Sequence, residues 1–469
     1  MVPMSNYMPL PSNRKDLMHQ AGLLSTINLI PLGLGGHMNI VADSFGLNPE
    51  SFNCMHRWIG RVAVIEGVFH TILGIALGNI VWQHSKQIAA VIVGLARPIF
   101  TQTVLMGLQA ASSMVLIILS SISLIRRCFY ETFLKIHQIL AAIILASVCI
   151  HSSGSLTTAP LVYLLAAGCT WIFVRIVQFA NSIYRSKIIG QSFSRAVIWT
   201  IPGALQIHVK VGRPWRYHAG QYVYLCIPGA TYGSWMQSHP YFVSWWYKDQ
   251  HGNDIVMFIL ECKKGFSLSL AAHSSGNLIL NGNRIEEQFV IGLQSLVEGP
   301  YGSVTPLSEY GTVLLFANGI GIAAQLPYIK QFLQGYHDWD VKARKIALYW
   351  EVKSEGHLKW VGNWMTELLR EDTQYILKIY IYVTGDFTTP GVQYGMSGKG
   401  GEHGRIDLEY KILDIDNIIK TELSVKRGRS MVLVCVKRSI GKQIRKAIRA
   451  MINRERQDIY LKELPFYPV

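Results

Sequence analysis

Charge is scarce in the first part of the chain. Residues 1–181 contain 15 Asp, Glu, Lys and Arg residues, whereas residues 182–469 contain 58. A long segment that is nearly free of charge is typical of a membrane domain, and the remainder has an ordinary soluble composition. The chain also lacks a Cys-x-x-Cys pair, and its seven cysteines are scattered. We therefore expect free thiols in the second part rather than a disulfide framework.

Other absences narrow the function classes. No cleavable signal peptide is apparent, because the first apolar run lacks a basic start and a small-residue cleavage site. The net charge of +15 suits an anionic membrane surface and phosphate-bearing cofactors. Because no aromatic-basic module or helix-turn-helix pattern accompanies this charge, we expect no nucleic-acid partner. A transporter is also disfavoured, since neither inverted repeats nor an unpaired mid-membrane carboxylate stands out.

Five charge-free runs predict membrane spans, because each is near the length that crosses a bilayer. They cover residues 17–42, 67–85, 101–125, 136–156 and 157–174. The first is interrupted by Pro31 and several glycines. Arg126, Arg127 and Lys135 lie between the third and fourth runs. Basic loops remain in the cytosol, so this loop and the second part of the chain are predicted to be cytosolic.

Four histidines in the apolar part form two pairs with the same spacing of 14 residues, His56 with His70 and His137 with His151. On a helix, this spacing gives about 1,400° of rotation and ~21 Å of rise, so each pair shares one face. We expect His56 to face His137 near the inner side and His70 to face His151 near the outer side. Facing imidazoles inside a membrane predict axial ligation of two b-type haems. His37 has no such mate and is interpreted as structural.

The second part changes pattern near residue 310. Before it, five short segments rich in β-branched and aromatic residues predict an antiparallel β-barrel: 196–201, 205–211, 221–227, 241–246 and 255–261. After it come a strand at 312–316, a glycine turn at 318–321 and a helix at 322–333, with further strands at 345–350, 376–383 and 431–434. This order is typical of a parallel α/β nucleotide-binding fold. The glycine-rich segment 391–404 predicts a flexible loop.

These motifs resemble those of the fungal ferric-chelate reductases, which belong to a superfamily that includes the NADPH oxidases. The resemblance begins at Gly22-x-x-x-x-x-Asn28-x-x-Pro31, continues through 56–61 and His137-Gln138, and covers nearly the whole chain. It implies a transmembrane di-haem helical bundle at 17–181, with His56, His70, His137 and His151 as haem ligands. A ferredoxin-reductase-like module follows, with an antiparallel FAD-binding β-barrel at 190–305 and a Rossmann-like NADPH-binding α/β domain at 306–469.

The resemblance also implies the cofactor-binding residues. The flavin is assigned to three motifs: His239-Pro240-Tyr241, Lys264-Gly265-Phe266-Ser267 and Gly299-Pro300-Tyr301-Gly302. The pyridine nucleotide is assigned to Gly319, Gly321 and Cys435, with Phe466 or Tyr467 as the aromatic ring that would stack on the flavin. Glycines at such a turn let the backbone approach a pyrophosphate at a helix start. Lys437, Arg438 and Arg405 could reach an adenosine 2′-phosphate, which favours NADPH.

The chain departs from the family pattern in several places. Asn318 replaces a small residue of the glycine turn, Val436-Lys437 replaces a Gly-Pro pair, and the terminal Trp is absent. The family usually has one more span before the first run, so we interpret the chain as a shorter member or an incomplete sequence. Two roles stay open for Arg57 and Arg61, which either pair with haem propionates or mark the cytosolic boundary. Glu66 either supports His70 or joins two helices, and His84 and Lys86 could attract anionic chelates.

The function implied is electron transfer from cytosolic NADPH, through FAD and two haem b groups, to a ferric or cupric chelate outside. It would serve iron uptake at the plasma membrane, with membrane lipid around it and a permease or multicopper oxidase as partner. No residue is assigned a catalytic role apart from cofactor binding. Two alternatives remain: a superoxide-generating oxidase, disfavoured by the lack of N-terminal calcium-binding loops, and a haem protein whose altered C-terminus no longer accepts nucleotide.

Overall fold

The computed structural model describes residues 13–35, 49–85, 93–153, 159–188, 190, 193–230, 234, 238–262, 266–276, 288–302, 304–401, 404–425, 428–455 and 458–466. Several predicted positions lie outside these ranges, namely His37, Lys86, Lys264, Gly265 and Tyr467, and the same holds for the side chain of His84. The chain divides into two compact units, Met1–Val177 and Gln178–Val469.

The first unit is helical. Its elements are α1 (Arg14–Gly33), α2 (Pro49–Ser85), α3 (Val93–Ser120), α4 (Ser123–Cys128), α5 (Tyr130–Ser153) and α6 (Ala159–Ser186), the last continuing into the second unit. Asn13 caps α1, since its side chain accepts hydrogen bonds from Lys15 N at 2.9 Å and Asp16 N at 3.0 Å. Helix α1 packs against α2, and α3 packs against α5.

Four helices of the described residues are long and apolar enough to cross a membrane. The spanning segments are Ser51–Leu77, Gln102–Ser120, Thr132–Ser153 and Ala159–Ser186. The sequence predicted five spans. Its first run forms α1, which is not among the four, and residues 36–42 of that run lie outside the described ranges.

The second span starts earlier than predicted. It begins at Ser51 rather than at residue 67, because α2 continues through Arg57, Arg61 and Glu66, whose charges had limited the predicted run. Two of these charged side chains have partners. The Arg61 guanidinium lies 5.0 Å from the ring centre of Trp58, and Asn28 Nδ2 donates to Glu66 Oε2 at 2.8 Å. Polar side chains that find partners are tolerated in a membrane helix.

The second unit begins with a β-barrel made of two antiparallel sheets. The strands are β1 (Arg195–Ile201), β2 (Ala204–Lys210), β3 (Tyr222–Cys226), β4 (His239–Phe242), β5 (Trp245–Lys248), β6 (Asp254–Glu261), β7 (Gln288–Gln294) and β8 (Leu296–Tyr301), with α7 (Phe266–Gly276) between β6 and β7. One sheet has the order β5-β6-β2-β1-β7 and the other the order β4-β3-β8. The antiparallel barrel predicted from the sequence is confirmed.

The segment 241–246, predicted as one strand, is divided between β4 and β5, which belong to different sheets. The chain changes sheets at Val243 and Ser244. The Val243 N–H donates to Gln221 O at 3.0 Å, beside the three-stranded sheet, and the Ser244 N–H donates to Met257 O at 2.9 Å, in the five-stranded sheet. The prediction of a single strand was wrong because apolar side chains continue across the change.

An α/β domain completes the second unit. It contains β9 (Tyr310–Asn318), α8 (Ile322–His337), β10 (Lys345–Val352), α9 (Gly362–Glu371), β11 (Leu377–Val383), β12 (Ser397–Gly400), β13 (Ile406–Glu409), α10 (Ile415–Ser424), β14 (Arg429–Cys435), α11 (Arg438–Glu455) and β15 (Ile459–Glu463). The strand order is β12-β13-β11-β10-β9-β14-β15. All nine residues of β9 are buried, as expected of a central parallel strand covered on both faces. The predicted parallel α/β pattern is confirmed.

The glycine-rich segment 391–404 is more ordered than predicted. Within it, Ser397–Gly400 forms β12 and pairs antiparallel with β13, from Ser397 opposite Glu409 to Gly400 opposite Ile406. Main-chain hydrogen bonds hold such a hairpin and need no apolar side chains. The composition of the segment predicted a loop, but pairing with β13 makes part of it a strand.

One of the hydrophobic clusters spans the contact between the barrel and the α/β domain. Trp245 of β5 stacks on Trp364 of α9, with ring centres 5.6 Å apart and an angle of 3° between the planes. Lys330 of α8 enters the same contact, with its ammonium 3.9 Å from the ring centre of Trp245 and 3.1 Å from Trp246 O. Buried residues of both domains form a single cluster around this stack.

Candidate functional site

The four histidines of the membrane unit meet in two pairs, as their spacing predicts. The ring centres of His56 and His137 are 6.3 Å apart at an angle of 54°, and those of His70 and His151 are 6.1 Å apart at 86°. Each pair joins α2 to α5. The two pairs are separated along both helices by the same four helical turns.

Backbone hydrogen bonds orient the His70 and His151 rings. His70 Nδ1 lies 2.8 Å from Met18 O of α1, and His151 Nδ1 lies 2.8 Å from Thr103 O of α3. A carbonyl oxygen can only accept, so each Nδ1 carries the proton and each Nε2 keeps a free lone pair. This tautomer is the one that presents Nε2 to a metal ion. In the other pair, Nδ1 of His56 and Nδ1 of His137 are buried without a hydrogen-bond partner among the described residues.

Glycines make room for three of the four rings. A Cβ at Gly22 would lie 2.7 Å from His70 Nδ1, and a Cβ at Gly107 would lie 2.9 Å from His151 Nδ1. A Cβ at Gly35 would overlap the imidazole of His56. These contacts are closer than real Cβ atoms show, so the rings could not occupy these positions beside any other residue. Gly22 belongs to the N-terminal motif, but no motif in the sequence pointed to Gly35 or Gly107.

The residues present fit a metal ion held between each pair. Two imidazoles sharing one iron, with metal–nitrogen bonds of about 2.0–2.1 Å and roughly 1.1 Å from nitrogen to ring centre, have ring centres about 6 Å apart. Both observed separations agree with that value. Two imidazoles at this separation in apolar surroundings are a donor set suited to haem iron. In the His56–His137 pair, the buried Nδ1 atoms also have no hydrogen-bond partner among the described residues.

Glu66 joins two helices rather than supporting His70. Its carboxylate accepts a hydrogen bond from Asn28 of α1, whereas His70 Nδ1 bonds to Met18 O. Of the two interpretations drawn from the sequence, the structure therefore supports the helix contact. Next to it, Ser25 Oγ donates to Ala63 O at 2.9 Å, so this contact joins those of Glu66 and His70 in holding α1 against α2.

The flavin motifs of the barrel converge on the three-stranded sheet. His239-Pro240-Tyr241 lies on β4 and Gly299-Pro300-Tyr301 lies on β8, on either side of β3, which begins at Tyr222. Strand β3 is central, with Val223 opposite Tyr241 and Tyr222 opposite Tyr301. Segments more than 50 residues apart in sequence are thus adjacent at one sheet. Phe266, at the start of α7, stacks on His239 with ring centres 4.4 Å apart, so the motif around Ser267 also adjoins this sheet.

A close backbone contact fixes the junction after β8. Gly302 has φ +106°, and a Cβ there would lie 2.6 Å from Gly220 O. Gly220 itself has φ +82°, and a Cβ there would lie 2.6 Å from the Tyr328 hydroxyl. Both glycines are required by conformation and by space. They bring the start of β3, the end of the barrel and α8 together.

The glycine turn after β9 has the form expected of a nucleotide site. Gly319–Gly321 makes a short 3-10 turn that leads directly into α8. Gly319 has φ +54°, and its Cβ position faces open space. A Cβ at Gly321 would overlap the carbonyl of Cys435 on the neighbouring β14. The turn thus leaves open space beside Gly319 at a helix start, where N–H groups attract phosphate.

Asn318 preserves the turn by a side-chain contact. Its Nδ2 donates to Glu351 Oε1 at 2.7 Å at the end of β10, and Trp350 Nε1 donates to Gly319 O at 2.9 Å. The replacement of a small residue here is therefore accommodated by neighbours on β10.

Cys435 and Phe466 lie at the same edge of the sheet as the glycine turn. The Cys435 thiol donates to Pro465 O at 3.4 Å, one residue before Phe466. Burial raises the pKa of Cys435 to about 12, so the thiol is neutral at physiological pH. Phe466 is partly buried against the core cluster. The predicted nucleotide residues are therefore brought together, with Gly321 and Cys435 in direct contact.

Arg405 does not belong to this edge. It precedes β13 and pairs with Asp372, which precedes β11, so both lie at the opposite edge of the parallel sheet. Arg405 Nη1 also donates to Leu369 O at 2.6 Å. Its predicted contact with an adenosine phosphate is wrong, because the guanidinium neutralises a buried carboxylate instead. Lys437 and Arg438 follow β14 at the correct edge and are exposed.

Glu355, which the sequence did not single out, organises the edge near β10 and β11. Its carboxylate accepts hydrogen bonds from Thr388 N at 2.8 Å, Thr389 N at 2.9 Å and the Tyr410 hydroxyl at 3.1 Å, as well as from both threonine hydroxyls. Burial alone would raise the pKa of Glu355, but the bonds from Thr389 and Thr388 lower it to about 2. The carboxylate therefore stays ionised and ties together the ends of three strands. Its partners lie more than 30 residues away, so no local pattern could reveal it.

Comparison with known proteins agrees with this arrangement. Three family models match consecutive parts of the chain: the ferric reductase like transmembrane component at residues 21–148, an FAD-binding domain at 196–305 and the ferric reductase NAD binding domain at 310–448. They coincide with the histidine-bearing helices, the barrel and the α/β domain.

Individual relatives are fungal proteins. "Ferric/cupric reductase transmembrane component 2" of Saccharomyces cerevisiae is 26% identical over 62% of this chain and 37% of its own length. "Ferric/cupric reductase transmembrane component 7" of the same yeast is 24% identical over 80% and 56%. "Ferric reductase transmembrane component 1" of Schizosaccharomyces pombe is 24% identical over 72% and 60%. The chain thus spans about half the length of these relatives.

The family models occur in the order membrane component, FAD domain, NAD domain, and the described structure contains the helices, the barrel and the α/β domain in that order. The residues that resemblance assigned to haem, flavin and nucleotide fall in these same three parts. The chain is a member of the ferric reductase family and contains its transmembrane, FAD-binding and NAD-binding parts.

Proposed function

We propose that this protein transfers electrons from cytosolic NADPH, through FAD and two b-type haems, to a ferric or cupric chelate on the other side of the membrane. The observation that carries the proposal is the pair of histidine sites, with ring centres 6.3 and 6.1 Å apart, on helices long enough to cross a bilayer. Membership of the family and the names of the fungal relatives support a metal chelate as the acceptor.

Each part of the chain has a role in the proposed route. His56 and His137 would hold the inner haem, and His70 and His151 the outer one, with the carbonyls of Met18 and Thr103 fixing the outer tautomers. When bound, FAD separates a hydride's two electrons and haem iron carries them singly. The sheet β4-β3-β8 would hold the flavin, and the turn at Gly319–Gly321 would admit the nucleotide pyrophosphate.

The orientation belongs to the same proposal. The basic loop between α3 and α5 favours a cytosolic barrel and α/β domain, with His70 and His151 near the outer surface. The plasma membrane and a role in iron uptake agree with this direction of transfer. A permease or multicopper oxidase that takes up the reduced metal would be the natural partner.

The test is anaerobic absorption spectroscopy of membranes containing the chain, with NADPH added first and a ferric chelate second. We expect reduced low-spin b-type bands after NADPH and their loss after the chelate. Bands that form only with dithionite would refute nucleotide-driven transfer. Reoxidation by dioxygen with superoxide release, and not by the chelate, would favour an oxidase instead.

A variant tests the order of the two sites. His70→Ala should retain about half of the NADPH-reducible bands, from the His56–His137 site, and should lose reoxidation by the chelate. His218→Ala, a change in a loop of the barrel, is the control and should behave as the parent chain. Full chelate reduction by His70→Ala would contradict the proposed order.

A further inference from the structure

Two arginines meet at the end of the last membrane helix. Arg185 is the penultimate residue of α6, and Arg213 lies in the loop between β2 and β3. Their guanidinium carbons are 5.7 Å and 4.2 Å from the ring centre of the same side chain, Tyr184. Arg185 also lies 5.5 Å from the ring centre of Trp215, and its Nη1 donates to Arg213 O at 3.3 Å.

This pair has no counter-charge among the residues that the structure describes. Among the described residues, neither guanidinium forms an ion pair, and the Nε–H groups of both are buried without a hydrogen-bond partner. Asp254, whose charge acts on the adjacent Tyr217, is already 3.1 Å from the ammonium of Lys248. Two like charges held near one ring, with unsatisfied donors, are costly unless an anion joins them.

The position along α6 indicates which anion is available. The helix has 28 residues, about 42 Å, whereas the hydrocarbon core of a bilayer is ~30 Å thick. The last turns therefore extend beyond the core to the level of the lipid headgroups. Tyr184 and Trp215 belong to the residue types that gather at this interface, and Tyr184 is 51% exposed.

We propose that Arg185 and Arg213 form a binding site for the phosphate of an anionic lipid headgroup. Planar guanidinium groups donate paired N–H bonds that match phosphate oxygens, and the rings of Tyr184 and Trp215 hold the two groups in place. The lipid would join the end of α6 to the β2–β3 loop of the barrel. The inference rests on insertion of α6 in the membrane and not on electron transfer.

The test measures lipid binding to the purified full chain in detergent by native mass spectrometry. The probe is dioleoyl phosphatidic acid, with dioleoyl phosphatidylcholine as the zwitterionic comparison. We expect the parent chain to prefer phosphatidic acid and the double variant Arg185→Gln/Arg213→Gln to bind it roughly 30-fold more weakly, since two headgroup contacts are lost. Arg185→Lys/Arg213→Lys, which keeps both charges and loses the planar fork, should be intermediate.

The control removes the same charge elsewhere. Lys446→Gln/Arg449→Gln lies on the exposed face of α11 and should bind phosphatidic acid like the parent chain. Equal binding by parent and Arg185→Gln/Arg213→Gln would overturn the proposal, as would a site that prefers inorganic phosphate or an acidic peptide to the lipid. Far-ultraviolet circular dichroism and size-exclusion chromatography check folding of each variant. Because no nucleotide or chelate is added, failure of electron transfer leaves this result unaffected.

Discussion

Gly22 and Gly107 each face the imidazole of a paired histidine, and replacing either should disturb one proposed haem site. In Gly22→Ala and Gly107→Ala, the new Cβ would lie 2.7 Å from His70 Nδ1 and 2.9 Å from His151 Nδ1. The ring must move away from its partner, so we expect dithionite-reduced low-spin absorbance to fall to roughly half. The measurement is the reduced-minus-oxidised difference spectrum per mole of protein.

Gly74→Ala is the matched control for these glycines, because its Cβ would lie 3.6 Å from the Met18 sulfur, an ordinary contact. It lies on α2 with His70 and should keep the full spectrum. Full absorbance in Gly22→Ala and in Gly107→Ala would show that the histidine positions do not depend on the missing side chains.

His208 should make the stability of the barrel depend on pH. Burial lowers the pKa of His208 from 6.5 to about 4. As the pH falls through this interval, the unfolded chain binds a proton that the folded chain does not, so the free energy of unfolding decreases. We expect the fall in Tm across the interval to be smaller in His208→Gln. His251→Gln, in an exposed turn, should retain the parent slope, and equal slopes in all three proteins would exclude His208 as the cause.

The positions of single residues could be predicted where the helical period determines which side chains share a face. The four histidines are the clearest case, because a separation of 14 residues places both members on one face. Arg405 shows the opposite. Its partner, Asp372, lies 33 residues earlier across a parallel sheet, and no spacing rule connects them. Glu66 is an intermediate case. Its separation of four residues from His70 could be seen in the sequence, but its hydrogen bond with Asn28 could not.

At the scale of elements, the turn between β9 and α8 depends on close contact with β14. A methyl group at position 321 would overlap the carbonyl of Cys435, so Gly321→Ala should displace the turn from the neighbouring strand. We expect NADPH to bind at least about tenfold more weakly, because the N–H groups that would face the pyrophosphate would lose their alignment. The measurement is the NADPH concentration dependence of flavin reduction in a stopped-flow instrument.

Gly398→Ala provides the comparison for this turn. It lies in β12 of the same sheet, and no atom is within 4 Å of its Cβ position. Its nucleotide affinity should match the parent chain. If Gly321→Ala also matches the parent, the turn tolerates a side chain and the glycine has no structural role there.

Most elements were visible in the sequence because hydrophobic periodicity reports burial. It identified β1, β2, β6 and the alternation of strand and helix after residue 310. It missed the change of sheet between β4 and β5, since apolar and aromatic side chains continue from one strand into the next. It also missed β12, whose order comes from pairing with β13 rather than from its own side chains.

At the scale of the whole second unit, the stack of Trp245 on Trp364 joins two domains thermodynamically. Trp364→Ala removes a buried ring at the centre of the contact, which costs about 3–5 kcal/mol. We expect differential scanning calorimetry to show one transition for the barrel and α/β domain in the parent chain and two in the variant. Trp339→Ala, at a side chain that is 90% exposed, should leave the single transition unchanged. A single transition in Trp364→Ala would mean that other contacts suffice to couple the domains.

The continuous core has a mechanical consequence for nucleotide access. Two domains joined only by a linker can open about a hinge, but here any opening would first expose the tryptophan stack and the Lys330 contact to water. We therefore expect entry of the nicotinamide ring to depend on a smaller displacement. The short segment containing Pro465 and Phe466 lies at the edge of the sheet that carries the glycine turn. We expect the rate of turnover to be set by rotation of the Phe466 ring, while the barrel and the α/β domain stay in contact.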